Sequence, residues 1–374
     1  MEGKPSNLKE ILQQGYAQIA KLPAKNEFSI DKLDSLIGYT VPLISHDYSA
    51  KTPMMWNTLY EKLNLNIRNI MLVADPKNSR IIIPALKNDP KYLGGGFGVG
   101  WKEKLESLDE IKPADLGAVN IVVKEQGRLI GYNTDAAGFV KSLEDKLAGL
   151  GKKIQGQAIA VVGAGGVAKE VVKLLAEKGV RYLPIINRTT KKAVALANAL
   201  NEKYGVDTNV FESFGVGENM TRSILLNSEE KPCAIINLSD KGSDSLIDVP
   251  YLYASTDENG NPLSPITMEK FTRDMVEYAI NLNPDIIYAD IVLPKTPSGR
   301  SKTLNLVDAE LRKNLSRKGK NSDESEKYLL DGKPMVVYQA VPAYDKIQQA
   351  NSDKHSNKTS QEEIFKVFKQ AAEV

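Results

Sequence analysis

The chain is short of the residues that most often carry hard chemistry alone. Of 374 residues only one is cysteine, Cys233, and only two are histidine, His46 and His355. One cysteine excludes an internal disulfide framework, and two distant histidines give no histidine-based metal site within one chain. No apolar run reaches membrane-spanning length, and the polar start MEGKPSNLKE is not a secretory signal, so a cytoplasmic protein is expected. A formal net charge of +2 gives no case for nucleic acid or an acidic membrane surface. What remains is 42% hydrophobic and 26% charged, the make-up of a soluble globular chain long enough for two or three domains.

The most informative stretch is Ala158 to Lys192. Ile159 to Val162 is a short β-branched run that passes into Gly163-Ala164-Gly165-Gly166-Val167-Ala168. Val171, Leu174 and Leu175 follow at helical spacing, Gly179 stands where a helix would end, and Leu183 to Ile186 is a second apolar run. The unit reads β-turn-α-β. There Gly163 permits a tight turn, Gly165 removes a side chain from the path of a diphosphate, and Ala168 lets helix and strand pack closely. The N–H groups at the helix start favour the anion. The second strand ends in Asn187-Arg188-Thr189-Thr190-Lys191-Lys192, where an NAD site would carry a carboxylate. A guanidinium, hydroxyls and ammonium groups suit a 2′-phosphate, so the expected cofactor is NADP.

Elsewhere the reading is coarser. Ser6 to Leu36 carries helical patterning, a helix is expected from Pro53, Ile70 to Ala74 reads as a strand, and Arg80 to Leu86 mixes strand residues with a proline. The glycine-dense segment Gly94 to Lys104 implies close approach of the backbone to another strand or a ligand. Leu116 to Val123 and Arg128 to Ile130 read as a hairpin about Lys124 to Gly127, and a helix runs from Ala137 to Leu147. Ala234 to Ser239 and Ile286 to Leu293 are further strands, and the charged stretch from Leu311 to Asp331 is expected to be a solvated insertion.

With these pieces placed, the chain resembles the shikimate dehydrogenase family from Ile37 to Ile347. Four segments carry the likeness: GYNTDAAGF at 131 to 139, GAVN at 117 to 120, GAGGVA at 163 to 168 with NRT at 187 to 189, and Met335 to Ala340. The resemblance implies an α/β fold of two domains. These are an N-terminal α/β substrate domain over 1–135, with a helical extension and completed by 336–374, and an NADP-binding Rossmann domain over 136–335. It implies reduction of 3-dehydroshikimate to shikimate, a step toward aromatic amino acids. A quinate-type or divergent polyol dehydrogenase is the alternative within the class, and a non-catalytic ligand-binding relative the alternative outside it.

The same resemblance places the catalytic pair at Lys104, with Lys102 as runner-up, and Asp135. It puts Thr52, Asn120 and Gln339 on the substrate. The cofactor residues it implies are Gly163, Ala164, Gly165, Gly166, Val167, Asn187, Arg188, Thr189, Lys192 and Asn237, with no metal. A shikimate-like hydroxy acid is the partner, and a homodimer is left open. The chain also departs from the family pattern. Ala50 stands where one of two carboxylate-binding serines is expected, and Gly98 and Gly100 replace the asparagine and threonine of the lysine loop.

Overall fold

The structure is a computed structural model that describes residues 3–22, 28–35, 38–46, 52–98, 100–113, 119–187, 189–208, 210–212, 231–239, 261, 263–292, 299–353 and 359–372. The chain divides into two compact units, Met1–Gly138 with Val336–Val374, and Phe139–Met335. Both are sheets covered by helices, because alternating β-branched runs and amphipathic helices have no other way to bury both faces.

The first unit holds nine described strands: β1 (Gln18–Ile19), β2 (Tyr39–Thr40), β3 (Leu43–Ser45), β4 (Ile67–Arg68), β5 (Met71–Val73), β6 (Gly94–Phe97), β7 (Ile111–Pro113), β8 (Ile121–Glu125) and β9 (Arg128–Tyr132). Seven form one sheet in the order β1-β5-β3-β6-β8-β9-β7, and β2 pairs with β4. The helices are α1 (Leu8–Gln13), α2 (Ile30–Ser35), α3 (Thr52–Lys62), α4 (Ser79–Asn88) and α5 (Lys102–Glu106). Next comes α6 (Asp135–Ala148), in which the first unit ends. Strands β3 and β6 are parallel, and their carboxyl ends lie along one edge, which the end of β9 shares because β8 reverses the chain twice.

One expectation changes here, and two open readings are resolved. The helical pattern of residues 6–36 is broken: Gly15 takes a left-handed φ of 74°, and Ile19 joins β1, which covers the sheet edge at β5. Residues 80–86 belong to a helix, α4, which carries Pro84 inside it at the cost of the hydrogen bond its N–H would have made. The glycine run proves to be a strand. A Cβ on Gly95 would stand 2.4 Å from the Pro42 carbonyl oxygen.

The second unit contains α7 (Gly166–Glu177), α8 (Thr190–Tyr204), α9 (Pro265–Leu282) and α10 (Lys302–Arg317). Its strands are β10 (Ile159–Val162), β11 (Ile185–Asn187), β12 (Val210–Glu212), β13 (Ala234–Asn237), β14 (Ile287–Asp290) and β15 (Leu329–Leu330). All are parallel, in the order β12-β11-β10-β13-β14-β15. That is the doubly wound order of dinucleotide-binding domains. The expected insertion at 311–331 is not a loop. It contains the end of α10, a 3-10 turn over Ser322–Tyr328, and the sixth strand. Its charges pair locally, as Arg312 does with Asp308 and Asp323, while Leu304, Val307, Leu311 and Leu315 bury one helical face. Two further helices, α11 (Lys333–Ala350) and α12 (Gln361–Ala372), return the chain to the first unit, where Phe368 stacks on Trp56 of α3.

Gly95→Ala is expected to lower unfolding free energy by about 1–3 kcal/mol or more, because the added carbon meets backbone that cannot swing aside. Gly127→Ala, at a hairpin turn with nothing within 4 Å but a φ of 77°, should cost about 1 kcal/mol. Urea unfolding of the two variants checks the order.

Candidate active site

At the carboxyl edge of the first sheet, five polar side chains are drawn into one cluster. Asn120 precedes β8 and is fixed by its own backbone. Its N–H donates to the Tyr132 carbonyl at 3.0 Å, and its carbonyl accepts from Phe97 N–H at 2.8 Å. Its side-chain amide then donates to Asp135 Oδ1 at 2.8 Å and to Thr134 Oγ1 at 3.1 Å, while its oxygen accepts from Thr134 N–H at 2.8 Å. Asp135 is the first residue of α6, where Asn133 Oδ1 accepts its backbone N–H, and a carboxylate is favoured by the helix dipole. Its Oδ2 is ion-paired with the Lys102 ammonium. Thr134 Oγ1 donates to Gln339 Oε1 at 3.0 Å.

Gln339 reaches this cluster because α6 and α11 touch backbone to backbone. A Cβ on Gly138 would lie 2.6 Å from Gln339 N, so the second glycine of GYNTDAAGF is a helix-crossing residue. Neither Gly138 nor Thr134 was singled out from sequence. Both stand inside the motif, and only the crossing reveals what they do.

The structure brings together Asp135, Asn120 and Gln339, and of the two candidate lysines it is the runner-up that reaches them. Lys102, not Lys104, meets Asp135. Trp101, fully buried, donates its indole N–H to the Ala74 carbonyl at 3.0 Å and tilts against Phe97 with ring centres 5.6 Å apart. That plug makes Lys102 the first residue of α5 and aims it along the sheet edge. Two residues further, a side chain points about 200° around the helix, so both lysines cannot face one carboxylate. Among the described residues the Lys104 ammonium has no hydrogen bond or ion pair. Thr52 opens α3, and no hydrogen bond joins it to the cluster among the described residues. Ala50 lies outside them.

In the second unit the glycine turn follows β10. Gly163 has a φ of 116°, and a Cβ there would stand 2.9 Å from the Leu238 carbonyl oxygen, so only glycine fits. Ala164 is buried, whereas a Cβ on Gly165 would meet nothing within 4 Å. The start of α7, Gly166 and Val167, has no side-chain cap. Bare N–H groups beside open space fit a diphosphate.

At the end of β11, Asn187 donates to the Thr189 carbonyl at 2.9 Å. Thr189 caps α8 without a side-chain bond, Lys192 is exposed in its first turn, and that turn carries no acidic residue. This donor set fits a 2′-phosphate; Arg188 lies outside the described residues. Asn237 departs from the expected contact. It is fully buried, donating to Asp290 Oδ1 at 2.9 Å and accepting from Ser239 N and Oγ at 3.0 and 2.6 Å, so it supports the ledge rather than forming its surface. Burial pushes the Asp290 carboxyl up to about 7. No group of three or more histidine, cysteine or carboxylate side chains suited to a metal occurs among the described residues.

These features define a two-unit α/β protein in which the second unit has the strand order and turn of a dinucleotide-binding domain. Comparisons agree. The family model for Shikimate / quinate 5-dehydrogenase matches residues 145–212. The shikimate dehydrogenase (NADP(+)) of Halothermothrix orenii is 31% identical over 253 residues, covering 67% of this chain and 77% of that one. The enzyme of the same name from Caldanaerobacter subterraneus subsp. tengcongensis is 36% identical over 182 residues, covering 47% of this chain and 60% of the relative. The structure of shikimate 5-dehydrogenase from Listeria monocytogenes, in complex with shikimate and NAD, superposes with a TM-score of 0.59 at 18% identity, covering 88% of this chain and 96% of that one. The chain belongs to the shikimate dehydrogenase family.

Asp290 makes stability depend on pH. Its folded value lies above the ordinary carboxylate value of 3.8, so the folded chain holds a proton that the unfolded chain releases. That contribution is complete below about 3.8 and is lost as pH rises through about 7. Relative to Asp290→Asn, wild type should lose up to about 1.4 kcal/mol of unfolding free energy per pH unit across this window and then run parallel. Urea midpoints from pH 4 to 8.5 measure it.

Proposed function

We propose that the protein is a cytoplasmic NADP-dependent oxidoreductase that reduces 3-dehydroshikimate to shikimate and runs the reverse reaction when product accumulates. The first unit holds the substrate and the second the cofactor. The observation that carries this reading is the Lys102–Asp135 ion pair inside a cluster of Asn120, Thr134 and Gln339. NADPH, when bound, supplies the hydride that converts the ketone carbon to a carbinol. Everything else falls to the side chains of the chain.

The ketone oxygen gains negative charge as the carbon is reduced, and the Lys102 ammonium stands ready to bond it and pass it a proton. Asp135 keeps that ammonium in place, and Asn120 keeps Asp135 in place through Oδ1, leaving Oδ2 for the lysine. Thr134 and Gln339 offer a hydroxyl and an amide to the ring hydroxyls of the substrate. Solvent then returns a proton to Lys102, which is 30% exposed. Gly165 and the α7 start would hold the diphosphate, and Arg188, Thr189 and Lys192 the 2′-phosphate. A lysine side chain ion-paired with a buried carboxylate favours catalysis over a pure binding role.

A second reading, oxidation of quinate or a related polyol, is favoured by one observation. Gly98 and Gly100 present no side chain, so two donors are missing from the loop that precedes Lys102. Losing such donors can cost orders of magnitude against a given hydroxylated substrate.

Lys102→Ala should lower kcat by about 10²–10⁴-fold with NADPH affinity unchanged, whereas Lys104→Ala stays within a few-fold of wild type. Steady-state rates on shikimate and quinate, with a direct NADPH titration, test this; equal loss in both variants would sink the assignment to Lys102. For the cofactor, Arg188→Ala should raise Kd for NADP about tenfold or more while leaving NAD nearly unchanged, read by nucleotide titration.

A further inference from the structure

One buried acid in the second unit is left over by the chemistry above. Asp290 ends β14 and is completely buried. Its Oδ1 accepts two hydrogen bonds, from Asn237 Nδ2 at 2.9 Å and Val292 N–H at 3.1 Å. Its Oδ2 has none. The nearby Ser301 hydroxyl, which caps α10 by accepting from Leu304 N–H at 3.3 Å, offers Oδ2 no bond of normal geometry. A buried carboxylate oxygen without a partner is costly, and such a group calls for an explanation.

The bonds on the other side supply one. Asn237 receives its orientation from Asp290 and passes it on, since its Oδ1 takes both the N–H and the hydroxyl of Ser239. The Leu238–Ser239 backbone, set in this way, is what Gly163 packs against: a Cβ there would lie 2.9 Å from the Leu238 carbonyl and 3.0 Å from Ser239 N. An unbroken line of contacts therefore runs from Asp290 through Asn237 and Ser239 to the glycine turn. The Leu238 N–H is itself tied to the Val162 carbonyl at 2.7 Å, which closes the line back onto β10.

We propose that Asp290 is a positioning residue of the dinucleotide site, acting in its neutral carboxyl form through Asn237 to hold the Leu238–Ser239 ledge against the turn that receives the diphosphate. The neutral form suits the geometry: Oδ1 accepts from two donors, and Oδ2, which makes no hydrogen bond of normal geometry and has the Ser301 hydroxyl beside it, carries the proton. Ionisation would place a bare negative charge behind a ledge built to receive an anion. Burial already pushes this carboxyl up to about 7. The charged group facing it is Asp331, whose field acts in the same direction and which is itself held by Arg300 Nε at 3.6 Å and Lys333 Nζ at 3.8 Å; Arg300 also pairs with Glu326. On β13 the facing side chain is Asn237, which is uncharged.

The inference rests on the reading that the second unit binds NADP, and the test separates the two. NADPH affinity of the full chain is measured by fluorescence titration from pH 6 to 8.5 for wild type and Asp290→Asn. The asparagine carbonyl can accept the same two bonds but cannot ionise. The expected result is equal affinity near pH 6 and a wild type weaker than the variant by about tenfold at pH 8.5, ionisation of the 2′-phosphate cancelling in the ratio. A ratio that does not change with pH overturns the inference, as does a variant weaker at every pH. Absence of NADPH binding in wild type would instead remove the cofactor reading, and the inference with it. Should Asp290→Asn not fold, infrared titration of wild type decides. A protonated-carboxyl band should fade near pH 7 and persist to higher pH with NADPH bound; a band unmoved by NADPH refutes the proposal.

Discussion

A carboxylate with 7% of its surface exposed is unstable unless charge and hydrogen bonds meet it, and Asp135 is met on both oxygens. That requirement organises the first unit. The amide that meets Oδ1 has to come from a rigid place, and Asn120 is pinned by backbone bonds to β6 and β9. The ammonium that meets Oδ2 has to arrive from the neighbouring strand end, and the buried Trp101 delivers it. Removing the lysine would leave the charge buried and without its counter-ion, which typically costs several kcal/mol. The cluster is thus a unit of folding as well as of chemistry.

The second unit solves a related problem with the opposite sign. Its strand ends present backbone N–H groups, and the acid that ends β14, Asp290, is buried and pushed toward its neutral form. Parallel strands make this economical in chain length. Their carboxyl ends all lie along one edge, so turns from β10, β11 and β13 meet there without any special loop.

How much of this was legible in the sequence depended on whether the signal was local. The β10-turn-α7-β11 unit was readable because glycine, small and apolar residues recur at spacings that one supersecondary unit imposes. The hairpin of β8 and β9 was readable for the same reason, as its turn uses Gln126 and Gly127 at φ of 48° and 77°. Failures were non-local. Leu311 to Asp331 looked like a solvated loop because its charges outnumber its leucines, yet Arg312 pairs within the segment, Lys313 pairs with Glu310 just before it, and the apolar stripe of α10 is left free to pack. Asn237 was expected to touch the cofactor because its segment resembles one that does so in the family. Only its neighbours in space, Asp290 and Ser239, show that both ends of its amide are used.

The lysine shows the limit most plainly. Counting along a motif assigns the ammonium to residue 104, but the chain has exchanged the side chains of its loop for Gly98 and Gly100, and glycines erase the landmarks by which a register is counted. What places the ammonium is the large side chain beside it. A buried indole with its N–H satisfied by Ala74 has few alternative seats, and the residue that follows it inherits that precision. Chemistry and specificity can then vary separately in one loop. Trp101, Lys102 and Asp135 hold the charge pair, while the glycines ahead of them add no side chain of their own. On the function proposed above, a loop built this way lets substrate preference vary while the charge pair stays in place.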